Sequence, residues 1–86
     1  MPRVFCLRNV RVSQVKELKG GHYRLTFTDN AEITRNGIWF SPGKDHPAAK
    51  NLKSGMKVSV LVEPQWNYFN GSKSLQLLVQ DLALDQ

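Results

Sequence analysis

The sequence predicts an all-β chain: a closed five-stranded Greek-key barrel with one short helix between its third and fourth strands. Three observations predict it. Runs alternating apolar and polar residues recur along the chain, each bounded by turn residues. Only the stretch from about Pro47 to Lys53 reads as helical, and it falls between the third and fourth runs. Asn70-Gly71 then joins the last two runs as a tight hairpin, because both residues tolerate the left-handed backbone that such turns require. A chain of 86 residues is expected to form one domain, residues 1–86.

The first strand covers residues 3–15, with apolar positions at Phe5, Leu7, Val10, Val12 and Val15. Its phase slips between Leu7 and Val10, which predicts a bulge near Asn9. Lys19-Gly20-Gly21 is a turn. Residues 22–28 put Tyr23, Leu25 and Phe27 on one face and His22, Arg24, Thr26 and Thr28 on the other. After a turn at Asp29-Asn30, residues 32–40 form a third strand with Ile33, Ile38 and Phe40 inward and a bulge at Asn36-Gly37. Ser41-Pro42-Gly43 leads to the helix, where Asp45 is the expected cap, and Gly55 ends it. Met56, Val58, Val60 and Val62 form the inner face of the fourth strand. Leu75, Leu77 and Val79 do so in the fifth, with Gln76, Leu78 and Gln80 opposite.

Composition excludes several classes. Apolar residues make up 41% of the chain, which argues against disorder. The longest apolar run, Val4 to Leu7, is four residues, too short for a membrane helix, and Arg3 and Arg8 break up what would be a signal segment. The single cysteine, Cys6, has no partner for an internal disulfide; flanked by Phe5 and Leu7, it reads as an inert thiol at a strand edge or in the core. These features make the cytoplasm the expected compartment. Twelve Lys and Arg against seven Asp and Glu give a charge of +5, spread along the chain rather than gathered in a tail. Such a surface fits phosphates, whose counterions are released on binding.

This order of elements is that of the oligonucleotide/oligosaccharide-binding fold, or OB-fold. Its groove lies on the exposed face of strands two and three, flanked by the loops joining strands one to two and four to five. Those regions hold Arg24, Arg35 and Trp39; Lys16 and Lys19; and Trp66, Tyr68, Phe69 and Lys73. Cations and aromatics together are what a single strand of nucleic acid needs, since phosphates are neutralised and bases stack. Trp39 differs in parity from Ile38 and Phe40, so it is expected to face away from the core, as a groove platform or an interface.

Four pieces in order, PRVFCLRNVRV, GGHYRLTF, GIWF and NYFNGSKSLQLLVQDLAL, resemble the C-terminal OB domain of the bacterial RecJ single-strand-specific exonucleases. The family's turn and following strand correspond to Asn67 to Gly71 and Ser74 to Leu77, its His-led second strand to His22, and its apolar-x-Phe step to Ile38-Trp39-Phe40. The resemblance implies a domain that guides single-stranded DNA to a catalytic core elsewhere. In that family the core carries Asp-His-His motifs holding manganese or magnesium; this chain has none of them. The chain would then be an excised domain, partnered by the parent core, or a stand-alone copy.

No catalytic set is visible. His22, His46 and Cys6 lie too far apart in sequence for a zinc-site spacing, and the seven carboxylates show no pairing for acid-base work. The expectation is therefore no catalytic residue, no metal ligand and no cofactor in this domain. Gly20-Gly21-His22 is read as a turn leading into a strand rather than as the Gly-Gly-His signature of the DNA-binding domain associated with Asp-His-His cores. Lys50, Lys53 and Lys57, near the helix end, are read as structural. The alternative to a DNA-binding module is a structural OB domain that docks on a larger enzyme through Trp39, Leu61 and Leu78.

Overall fold

The computed structural model describes residues 3–85. Five strands and one helix follow one another as β1 (Phe5–Leu18), β2 (His22–Thr28), β3 (Thr34–Trp39), α1 (Pro47–Asn51), β4 (Lys57–Phe69) and β5 (Ser72–Leu84). The sheet closes into a barrel in the order β1-β2-β3-β5-β4. Closure removes the open edges that a five-stranded sheet would otherwise present. The helix lies between β3 and β4, as its sequence position predicts.

Closure depends on β1, which serves two neighbours. Its first half pairs with β4, from Phe5 opposite Val62 to Arg11 opposite Lys57. Its second half pairs with β2, from Arg11 opposite Thr28 to Leu18 opposite His22. A strand doing this must bend, and two register shifts allow it, between Leu7 and Val10 and between Val12 and Gln14. The first is the bulge expected near Asn9, whose φ of 57° lies in the left-handed region that Asn tolerates. At the second, the loop before β4 seals the gap: Gly55 donates its N–H to the Val12 carbonyl, and Val12 donates to Met56. The Ser54 hydroxyl reaches the Ser13 carbonyl.

The core is the inner face of this barrel. Val12, Leu25, Phe27, Val58, Val60 and Val62 are almost wholly shielded from solvent, and Leu77, Val79 and Leu82 of β5 join them. Each such side chain contributes about 1.5–3 kcal/mol by leaving water. Ala48, Ala49 and Leu52 bring the helix segment onto the same cluster. Among the described residues Thr28 is the one buried polar residue, and it donates its hydroxyl to Ser13 at 2.9 Å.

Several expectations change. β3 runs in unbroken register against β2, so there is no bulge at Asn36-Gly37. Gly37 lies opposite Leu25, within the inner phase, where a Cβ would come 3.0 Å from the Phe27 ring and 3.1 Å from the Leu77 carbonyl. A glycine has no hydropathy with which to mark its face, so the alternation in this strand was misread by one. Ile33 and Phe40 are exposed rather than inward. Leu75 is also exposed, because β4 and β5 run on past the barrel wall as a two-stranded finger. Cys6 is exposed on β1 opposite Leu61. The helix cap is His46, not Asp45: its Nδ1 accepts the N–H groups of Ala48 and Ala49.

Candidate nucleic-acid interface

The finger is the most exposed aromatic feature of the chain. It pairs from Gln65 opposite Gln76 to Phe69 opposite Ser72 and turns at Asn70 and Gly71, with φ of 50° and 77°. Two successive left-handed residues make the turn whose twist matches a hairpin, which is why Asn-Gly stands there. Alternation sorts the finger into two faces. Trp66 lies opposite Leu75 and Tyr68 opposite Lys73, so these four share one face. Gln65, Gln76, Asn67, Ser74, Ser72 and Phe69 share the other. Trp66, Tyr68 and Phe69 are 58%, 69% and 74% exposed.

Lys73 organises the first of these faces. Its Nζ sits 4.0 Å from the centroid of the Trp66 ring and 6.0 Å from that of Tyr68. An ammonium over an aromatic face is attracted by the ring quadrupole, worth about 0.5–1 kcal/mol at an exposed site. A cation is thereby held beside two ring faces, the pairing that a phosphate followed by a base would meet.

The sheet face supplies a second group. Lys16 lies opposite Arg24, and Arg24 opposite Ile38, so these three form a row on the outer face of β1, β2 and β3. Arg24 and Lys16 are exposed. Lys19 is exposed in the β1–β2 turn.

Two expected site residues lie elsewhere. Trp39 is only 3% exposed and belongs to the core. It lies opposite Tyr23 and meets the His46 ring edge-on at 4.9 Å, so it can serve neither as a surface platform nor as part of a docking patch with Leu61 and Leu78. Arg35 does not share the face of Arg24. It lies opposite Phe27, on the inner phase at the start of β3, and its guanidinium is paired with Asp29 at 2.9 Å. The Asp29 carboxyl is held below the usual carboxylate range by that hydrogen bond and by the N–H groups of Ile33 and Ala31. Arg35 therefore already has an anion. Arg11 is likewise paired with Glu32, at 3.3 Å.

Phe40 was missed. Placed inward by the misread phase of β3, it is 58% exposed, follows directly on Trp39 and packs edge-on against His22 at 5.2 Å. The signal that could have found it is Gly37, read as an inner position opposite Leu25.

Among the described residues no group of three or more His, Cys, Asp or Glu side chains could hold a metal ion. No helix among them is long and apolar enough to cross a membrane.

A closed barrel of five strands in this order, with a helix between the third and fourth, defines an OB-fold. The family model of the RecJ OB domain matches residues 1–81, and the chain belongs to that family. Solved structures agree on the fold. The mitochondrial single-stranded DNA binding protein Rim1 of S. cerevisiae is 17% identical, with a TM-score of 0.73, covering 98% of this chain and 94% of that one. The small single-stranded DNA-binding protein of Streptomyces coelicolor is 15% identical, with a TM-score of 0.54, covering 98% and 94%. No curated protein matches the sequence.

Proposed function

We propose that the chain is a non-catalytic module that binds single-stranded DNA with little sequence preference. The observation that carries this reading is the finger face on which Lys73 lies over Trp66 beside Tyr68. Stacking on such rings is tolerant of sequence, because every base has a π-face, and phosphates meet Lys73, Lys16, Lys19 and Arg24. Membership of the RecJ OB domain family and the likeness to single-stranded DNA-binding proteins support it. In its setting the module holds the strand for a RecJ-like, 5′-to-3′ single-strand-specific exonuclease core acting in cytoplasmic DNA repair and recombination. Manganese or magnesium belongs to that core, and this domain uses no cofactor.

Titration of fluorescent oligo-dT at low and at moderate salt tests the reading. Weak binding that falls steeply with salt is expected. No binding at micromolar protein and low salt overturns it.

A further inference from the structure

β3 and β5 are joined by two residue pairs, Gly37 with Leu77 and Ile38 with Leu78. Beyond Ile38 a groove of about 390 Å³ lies between the two segments. That is within the range of ligand sites, about 300–1,000 Å³. Phe40 and Pro42 line it from the β3 side, and Leu78 and Gln80 from β5. His46 and Asp81 also line it.

Phe40 is held in place at this groove. The residue after it, Ser41, has a φ of 41°, uncommon for a residue with a side chain. The Ser41 N–H donates to His22 Nδ1 at 3.0 Å, and its hydroxyl reaches the Gly20 carbonyl. The His22 ring braces Phe40 edge-on while more than half of the residue stays open to solvent. A ring so fixed stacks with little loss of side-chain freedom.

The opposite wall has the chemistry of a base edge rather than of a phosphate. The register of β5 against β4 passes from Leu61–Asp81 to Val62–Val79, leaving Gln80 as the extra residue of a bulge. A bulge re-aims a side chain, and the Gln80 amide both donates and accepts. Asp81 beside it is anionic, its carboxyl held down by His46 and the Leu82 N–H. Such a wall repels phosphate and accepts from a base N–H. The cations stand apart from it, in the row of Lys16 and Arg24 beside Ile38.

We infer that this groove receives one unstacked nucleobase of the bound strand, stacked on Phe40 with its hydrogen-bonding edge toward Gln80 and Asp81. The inference rests on the single-stranded DNA reading above. It adds a station on the barrel wall, separate from the finger.

Anisotropy titration of the full chain with oligo-dT tests it, comparing wild type with Phe40→Ala, Phe40→Leu and Phe40→Tyr. Loss of one stacked base corresponds to a fall of roughly 5- to 150-fold in affinity. Phe40→Ala and Phe40→Leu should both show it, and Phe40→Tyr should not. A strand of equal length made of abasic sites should bind wild type and Phe40→Leu equally. If wild type binds oligo-dT and Phe40→Leu binds it as tightly, the inference is overturned and the finger reading stands. An equal loss on the abasic strand also overturns it, because Phe40 would then act through the fold. If wild type binds no oligo-dT, both readings fall.

Discussion

Lys73 and Trp66 lie diagonally across the finger, with the ammonium 4.0 Å from the centroid of the indole. Neither residue is needed by the barrel, since both stand beyond its wall on exposed strands. The pair keeps a cation next to a stacking surface before any ligand arrives. Lys73→Ala should therefore weaken oligo-dT binding and make it less sensitive to salt. Losing one phosphate contact to a single strand should reduce the slope of log K against log salt by about 0.7. Titrations at several salt concentrations measure this slope; an unchanged slope places Lys73 outside the phosphate path.

The two tryptophans should separate cleanly in a stability assay. Trp39 is 3% exposed and packed against Tyr23 and His46, whereas Trp66 is 58% exposed. Trp39→Ala should cost about 3–5 kcal/mol of folding stability, as large-to-small core changes do. Trp66→Ala should leave the urea midpoint nearly unchanged and weaken DNA binding by about 1–3 kcal/mol. The reverse pattern would return Trp39 to the surface.

What the sequence made legible, and what it hid, both trace to side-chain periodicity. The bulge near Asn9 could be read because Leu7 and Val10 are both apolar and one step out of phase, and β1 does shift register there. The Asn70-Gly71 hairpin could be read because its backbone requirement selects those residues, and both have positive φ. β3 was misread because Gly37 holds an inner position with no side chain, while Ile38 is buried on the outer face opposite Leu78. That inversion moved Trp39 into the core and Phe40 out of it. Arg35 was misplaced for a related reason: no local pattern tells that Asp29 lies within reach across a turn. Cross-strand partners are long-range facts that alternation along one strand does not contain.

Gly37 predicts a steric result of its own. A methyl group there would press on the Phe27 ring at 3.0 Å and on the Leu77 backbone carbonyl at 3.1 Å. Phe27 is fully packed, and the Leu77 carbonyl belongs to the short β3–β5 seam, so neither yields freely. Gly37→Ala should destabilise the fold by about 1–3 kcal/mol, the usual cost of overpacking. Chemical denaturation measures it. A neutral or stabilising effect would mean that the seam opens without cost.

His46 joins the helix to the barrel through both ring nitrogens. Nδ1 accepts the N–H groups of Ala48 and Ala49, so in the neutral ring Nε2 carries the proton and donates to Asp81 at 2.9 Å. His46→Ala should cost about 1–2 kcal/mol, the scale of a lost helix cap, and His46→Ser should recover part of it. The Asp81 carboxyl is held below its ordinary 3.8, first by His46 and then by the Leu82 N–H. A carboxyl with a lowered folded-state pKa adds stability that is fully present above its unfolded pKa and disappears as pH falls through the folded one. The native state should therefore weaken as pH falls below about 4, the unfolded carboxyl's value, and on toward the lower folded one. Asp81→Asn should flatten this acid limb and lower stability at neutral pH. Urea midpoints between neutral pH and pH 3 provide the measurement; an Asp81→Asn profile parallel to wild type would show that the pair contributes nothing.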